Sequence, residues 1–154
     1  MAYAKETSVS VEKTEGDIKS TLRRYGATSF ASFESGVAAM IAFEMQGRRV
    51  VFKLPLPDRR SQEFTATPSG KWARSAKQAE AAWDQACRSR WRALLLCIKA
   101  KLESVEAGIE TFEDAFLAHI QLPGGAMVGE EVREAIAGSY ASGTMTPLLP
   151  GPGR

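Results

Sequence analysis

Arg74, Lys77, Arg88, Arg92 and Lys99 recur at spacings that bring them to one side of a helix. At 100° per residue they project within an arc of roughly 60°. A row of fixed cations can follow a phosphate backbone, so the chemistry this pattern offers is polyanion binding. Arg48, Arg49, Lys53, Arg59 and Arg60 add positive charge upstream. Trp72 stands beside Lys71 and two residues before Arg74, and an exposed indole among cations can stack on a nucleic-acid base. The candidate nucleic-acid-binding residues are therefore Arg48, Arg49, Lys71, Trp72, Arg74, Lys77, Arg88, Arg92 and Lys99, with DNA and RNA both open. The competing reading is a solvated helix face, and Asp84 and Glu103, which fall near the same stripe, favour it.

Other chemistries find less support. Ser69-Gly70-Lys71 ends like a phosphate-binding loop, but the first glycine is missing and Trp72 replaces the Ser/Thr. No Gly-x-Gly-x-x-Gly follows a strand. His119 is the sole histidine and the two cysteines stand apart, so zinc-ligand spacing is absent. His119 sits near an expected helix end, where a structural role or exposure competes with general-base work. A cysteine nucleophile needs a base within reach, and Cys97 lies in the most apolar stretch, where a thiolate is disfavoured. Glu110, Glu113 and Asp114 gather at a helix start, where the dipole favours them. The expectation is a protein that is not an enzyme and takes no metal or cofactor.

The two cysteines, ten residues apart on one expected helix, would be separated by about 15 Å of rise, too far for a disulfide. Both read as reduced, buried small hydrophobes, which fits a cytoplasmic setting. No apolar run approaches the roughly 18 residues of a membrane span, and the first residues lack the pattern of a secretory signal. The 44% hydrophobic and 25% charged composition is that of a globular domain. The net charge of +2 conceals an asymmetry: residues 44–101 carry thirteen basic and five acidic side chains, and residues 102–143 carry one basic and eight acidic. Either the basic region attracts a polyanion or the acidic segment folds back upon it.

The elements that must position these residues follow from periodicity. Val9 and Val11 alternate with serines and permit a short edge strand. Thr14, with Asp17 in the capping-box position, opens a helix whose stripe is Ile18, Leu22 and Tyr25 and which Gly26 stops. Residues 29–34 read as a strand. Ala39, Ile41, Phe43 and Met45, a Gln46-Gly47 turn, and then Val50, Phe52 and Leu54 define a hairpin. That turn pairs Phe43 with Val50, Ile41 with Phe52 and Ala39 with Leu54 on one face, and Glu44 with Arg49 and Met40 with Lys53 on the other. Pro55 and Pro57 end the sheet, and residues 58–73 read as a polar loop.

A long helix follows, capped by Ser75 with Gln78 and running to about Val105 before Gly108. Trp83, Cys87, Trp91, Leu94, Ile98, Leu102 and Val105 form its apolar face, and residues 93–98, apolar almost all round, predict the buried centre of the domain. Thr111 caps a short acidic helix with Phe112, Phe116 and Leu117. Leu122-Pro123-Gly124-Gly125 is a turn, and a last helix spans about Val128 to Tyr140. The fold class is α+β: a small antiparallel meander of about three strands packed on a long central helix, with shorter flanking helices. Residues 1–142 form one domain, and the Pro/Gly-rich tail 143–154 is expected to be disordered.

The order helix–strand–strand–strand–helix is similar to that of double-stranded-RNA-binding domains, with Lys71, Arg74 and Lys77 at the basic helix start; this helix is far longer, and Trp72 is foreign to that pattern. A hairpin followed by a long helix also resembles the core of single-strand annealing proteins. Over most of the chain, the segments Tyr25-Gly26-Ala27, Leu54-Pro55-Leu56-Pro57-Asp58, residues 63–68 and residues 90–96 resemble small uncharacterised proteins encoded by bacteriophages and prophages. That resemblance implies a bacterial or phage origin and a cytoplasmic setting. The expected function is a small phage-type accessory protein that binds nucleic acid through the basic helix face and hairpin. The alternative is an adaptor or inhibitor that contacts a host or phage protein through the acidic segment 103–134 or the tail.

Overall fold

The hairpin is where local pattern and chain topology agree most closely. In the computed structural model, which describes residues 4–149 and 151, helix α1 (Val11–Arg24) precedes a three-stranded antiparallel sheet in the order β1 (Ser29–Glu34), β2 (Ala38–Met45), β3 (Arg48–Pro55). The β2–β3 register pairs Phe43 with Val50, Ile41 with Phe52, Ala39 with Leu54, Glu44 with Arg49 and Met40 with Lys53, as the alternation predicts. Gln46 and Gly47 both have positive φ, 51° and 71°. That geometry lets a two-residue loop match the strand twist.

Helix α1 begins earlier than its sequence pattern suggests. The Lys13 amide donates to the Ser10 hydroxyl at 3.1 Å, so Ser10 is the N-cap. Val11 is thereby helical, and no strand forms at Val9–Val11. One side-chain cap at Ser10 outweighs the weak alternation of two valines.

The long helix α3 (Ala76–Glu106) follows the one-turn helix α2 (Gln62–Thr65). The segment 58–73 is therefore not a plain polar loop: α2 buries Phe64, and Ala66 bridges Ala73. At α3 the Ser75 and Gln78 side chains make the reciprocal capping box. Trp83, Cys87, Trp91, Leu94, Leu95, Ile98 and Leu102 are buried. Ala93 and Cys97, by contrast, are exposed. The apolar stretch is buried along one side only, because among the described residues no element covers the outward flank of α3 at that level.

Helix α4 (Phe112–Phe116) continues into a 3-10 turn, Leu117–His119. The Asp114 amide donates to the Thr111 hydroxyl at its start. Phe116 meets Phe43 and Phe52 edge-on, with ring centroids 5.8 and 6.3 Å apart. One face of the sheet thus packs on α1, α3 and α4 in a single apolar cluster.

Helix α5 (Val128–Ser142) is attached differently. Gly129 is its one buried residue among those described. A Cβ there would stand 3.0 Å from the Ala118 carbonyl oxygen, so a side chain would press the helix away from the 3-10 turn by a few tenths of an ångström. Residues 143–149 of the expected tail run back along this helix; the Ser139 and Thr146 hydroxyls lie 3.0 Å apart. Positions 150 and 152–154 lie outside the described residues. The acidic segment also folds onto the basic hairpin, through Glu113 to Arg48 at 2.8 Å and Glu130 to Lys53 at 2.5 Å.

Asparagine tolerates the left-handed region better than glutamine. Gln46→Asn should therefore raise stability by about 0.5 kcal/mol, seen as a higher urea midpoint at unchanged slope.

Candidate nucleic-acid interface

The nine predicted residues do not form one stripe. Arg74 precedes α3, since the capping box starts the helix at Ala76. Its Nη1 donates instead to the carbonyls of Glu63 and Phe64, at 3.1 and 3.3 Å. Helical spacing was the wrong ruler for this residue: it ties α2 to the loop that leads into α3.

The hairpin and mid-helix arginines have partners within the chain. Arg48 pairs with Glu113 and Arg49 with Glu44. Arg92 pairs with Asp17 of α1 at 3.1 Å, both half-buried. Asp17 also accepts from Lys13 at 2.7 Å, and these two hydrogen bonds, Lys13 first, hold its carboxyl below the usual range. Arg88 donates to Gln85, whose amide in turn donates to the carbonyls of Lys5 and Thr7. Arg92 thus fastens α1 to α3, and Gln85, held by Arg88, fastens the backbone at Lys5 and Thr7 to the same helix. Arg59, outside the predicted set, is similarly engaged: it lies 3.7 Å from the Trp83 ring centroid and bonds Glu80 at 2.7 Å.

What is left is concentrated ahead of α3. The Thr67 amide donates to the Trp72 carbonyl and the Gly70 amide to the Thr67 carbonyl, both at 2.8 Å. Gly70 turns the chain with φ 73°. This tight loop presents Trp72 with 72% of its surface exposed. Lys71 and Lys77 are exposed on either side of it and have no ion pair among the described residues. Lys99 is exposed too, but lies about 33 Å of helix from Lys77. The candidate residues left exposed and without a partner among the described residues near the start of α3 are thus Lys71, Trp72 and Lys77, close in sequence, with Arg74 as an internal brace of the loop.

Beside this loop runs a cleft of about 770 Å³, lined by Phe64, Arg74, Ala82, Gln85, Ala86 and Arg90 among others. The sequence pattern does not reveal it. Its one local signal is Phe64, a lone large apolar residue in a polar segment.

His119 and Cys87 take structural positions in keeping with expectation, and Cys97 does not. His119 stacks on Phe52 at 4.1 Å, half-buried, and burial followed by the charge of Lys101 lowers its pKa. Cys87 is buried, and burial above all pushes its thiol up to about 11. Cys97, expected to be buried, is exposed because it falls on the uncovered flank of α3. No group of three or more potential metal ligands occurs among the described residues, and no described helix is long and apolar enough to cross a membrane.

Comparison of the chain with protein-family models, curated proteins and solved structures finds no match. Function must therefore be argued from the geometry above.

Two outcomes follow from these placements. A thiol reagent on the folded protein should modify Cys97 and leave Cys87 unlabelled until denaturant is added, as peptide mass mapping would show. His119 titrates in the fold below its ordinary value of 6.5. Its contribution to stability is complete above that value and declines as pH falls toward the folded pKa. Denaturation midpoints measured downward from neutral pH should fall less steeply through this window in His119→Gln.

Proposed function

We propose that the protein is a non-catalytic binding protein that engages single-stranded nucleic acid at the Trp72 loop. The observation that supports this most is an ordered loop holding an indole 72% exposed, between two cations with no partner among the described residues. Bases of either nucleic acid stack on such a ring with little regard to sequence, while flanking lysines meet phosphates. Arg48, Arg49 and Arg92 serve the fold in this reading, and the contact is smaller than a full helix face. A phage-type accessory role in the cytoplasm is consistent with a small binding module of this kind.

A second reading is an adaptor for another protein through the acidic segment and α5. It draws on the exposure of Ile136 and Tyr140, since large apolar side chains in solvent mark contact sites.

Trp83 and Trp91 are buried, so quenching of exposed tryptophan emission by oligonucleotide reports on Trp72. Single-stranded DNA and RNA should quench it and gain anisotropy, duplex much less. With about two phosphates engaged, the log–log salt slope should be about −1.4. Trp72→Ala should weaken binding by about 1–3 kcal/mol, and Lys71→Glu with Lys77→Glu should abolish it, while Arg49→Glu leaves it nearly unchanged. Absence of binding at low salt overturns the reading.

A further inference from the structure

The sheet has a second face that, among the described residues, stays open over β1 and β2, whereas Val51 on β3 is buried and Lys53 is paired with Glu130 of α5. Register places three rows across it: Phe33, Met40 and Lys53; Ala31, Ala42 and Val51; Ser29, Glu44 and Arg49. The small side chains of the middle row leave a hollow of about 350 Å³ with Met40 on one side and the Glu44–Arg49 pair on the other. Phe33 is 59% exposed at its margin.

Helix α5 carries the matching shape. Val132, Ile136 and Tyr140 succeed one another at i, i+4 and i+8 and make one ridge. Ile136 is 43% and Tyr140 88% exposed. Within the chain, α5 is held by its first turn, through Gly129 and the Glu130–Lys53 pair. The returning segment 144–149 occupies the flank of Ala135 and Ser139. Val132 is half-buried against the first turn of the helix's attachment, and Ile136 and Tyr140 stay exposed among the described residues.

We propose that the open sheet face receives helix α5 of a second copy of this chain, with Tyr140 seated in the hollow over Ala31, Ala42 and Val51. Three features single out a second copy. The same molecule bears both surfaces, and a two-fold axis makes the contact twice, which doubles the buried area toward that of a stable dimer. The lengths agree: the 15-residue helix spans about 22 Å, and the eight-residue strands β2 and β3 about 26 Å. The hollow is apolar at its floor and has a carboxylate and a guanidinium at its rim. That is what a tyrosine ring and its hydroxyl require, since a buried phenol needs a hydrogen-bond partner.

The test is sedimentation and light scattering of the full chain across a micromolar concentration series. The wild-type protein should form a closed dimer. Tyr140→Ala and Ala42→Arg should each weaken it about tenfold or more, with unchanged circular dichroism. Mixing these two variants should restore association in part, because Tyr140 of one meets the intact hollow of the other. A monomer at the highest concentration overturns the proposal. So does a dimer lost with Tyr140→Ala but untouched by Ala42→Arg, which would be a helix-to-helix contact, and so does an open-ended series of larger species.

Discussion

Ile41, Phe43, Val50 and Phe52 on one side of the sheet, and Trp91, Leu95 and Ile98 on one stripe of α3, exclude water together. Every other feature hangs on this seam. A two-residue turn with both residues at positive φ sets the strand register, and register decides which side chains the sheet presents to the helix. A slip of one residue would turn Phe43 and Phe52 to solvent and Glu44 and Lys53 inward. Phe116 closes the seam edge-on against both phenylalanines, which brings α4, the 3-10 turn and the root of α5 to their places.

Charge is spent on the same assembly. The chain separates a basic middle from an acidic end, and the fold brings parts of them back together at Arg48–Glu113 and Lys53–Glu130. Each of these exposed pairs contributes little alone. Their consequence is subtractive: guanidinium groups with partners inside the chain are less available to a phosphate chain. A long cationic stripe in the sequence thus contracts to a small cluster where Trp72 is presented.

A two-layer arrangement leaves flanks bare. The outward side of α3 shows Ala93 and Cys97, and the second face of the sheet shows Phe33 and Met40. The two differ in kind. The helix flank carries small residues at Ala93 and Cys97, whereas the sheet face has a shaped depression and a helix of the same chain with a ridge that could fill it. This contrast is why self-association is assigned to the sheet.

The alternation around Gln46-Gly47, the Ser75–Gln78 capping box and the Thr111 cap are local, and each was legible in the sequence, the first two down to their partners, because near neighbours in the chain satisfy them. The α+β class follows from the same signals. Helical projection placed Arg92 on the cationic side of α3, yet could not show that Asp17, 75 residues away, would meet it. It misplaced Arg74, which lies outside the helix, and it buried Cys97, whose surroundings depend on which elements are absent from one flank. The cleft beside Trp72, the stacking of His119 on Phe52 and the bare face of the sheet are likewise tertiary facts. Local pattern reports the conformation that neighbouring residues prefer; the pairing and exposure of a side chain are set by elements that reach it through space.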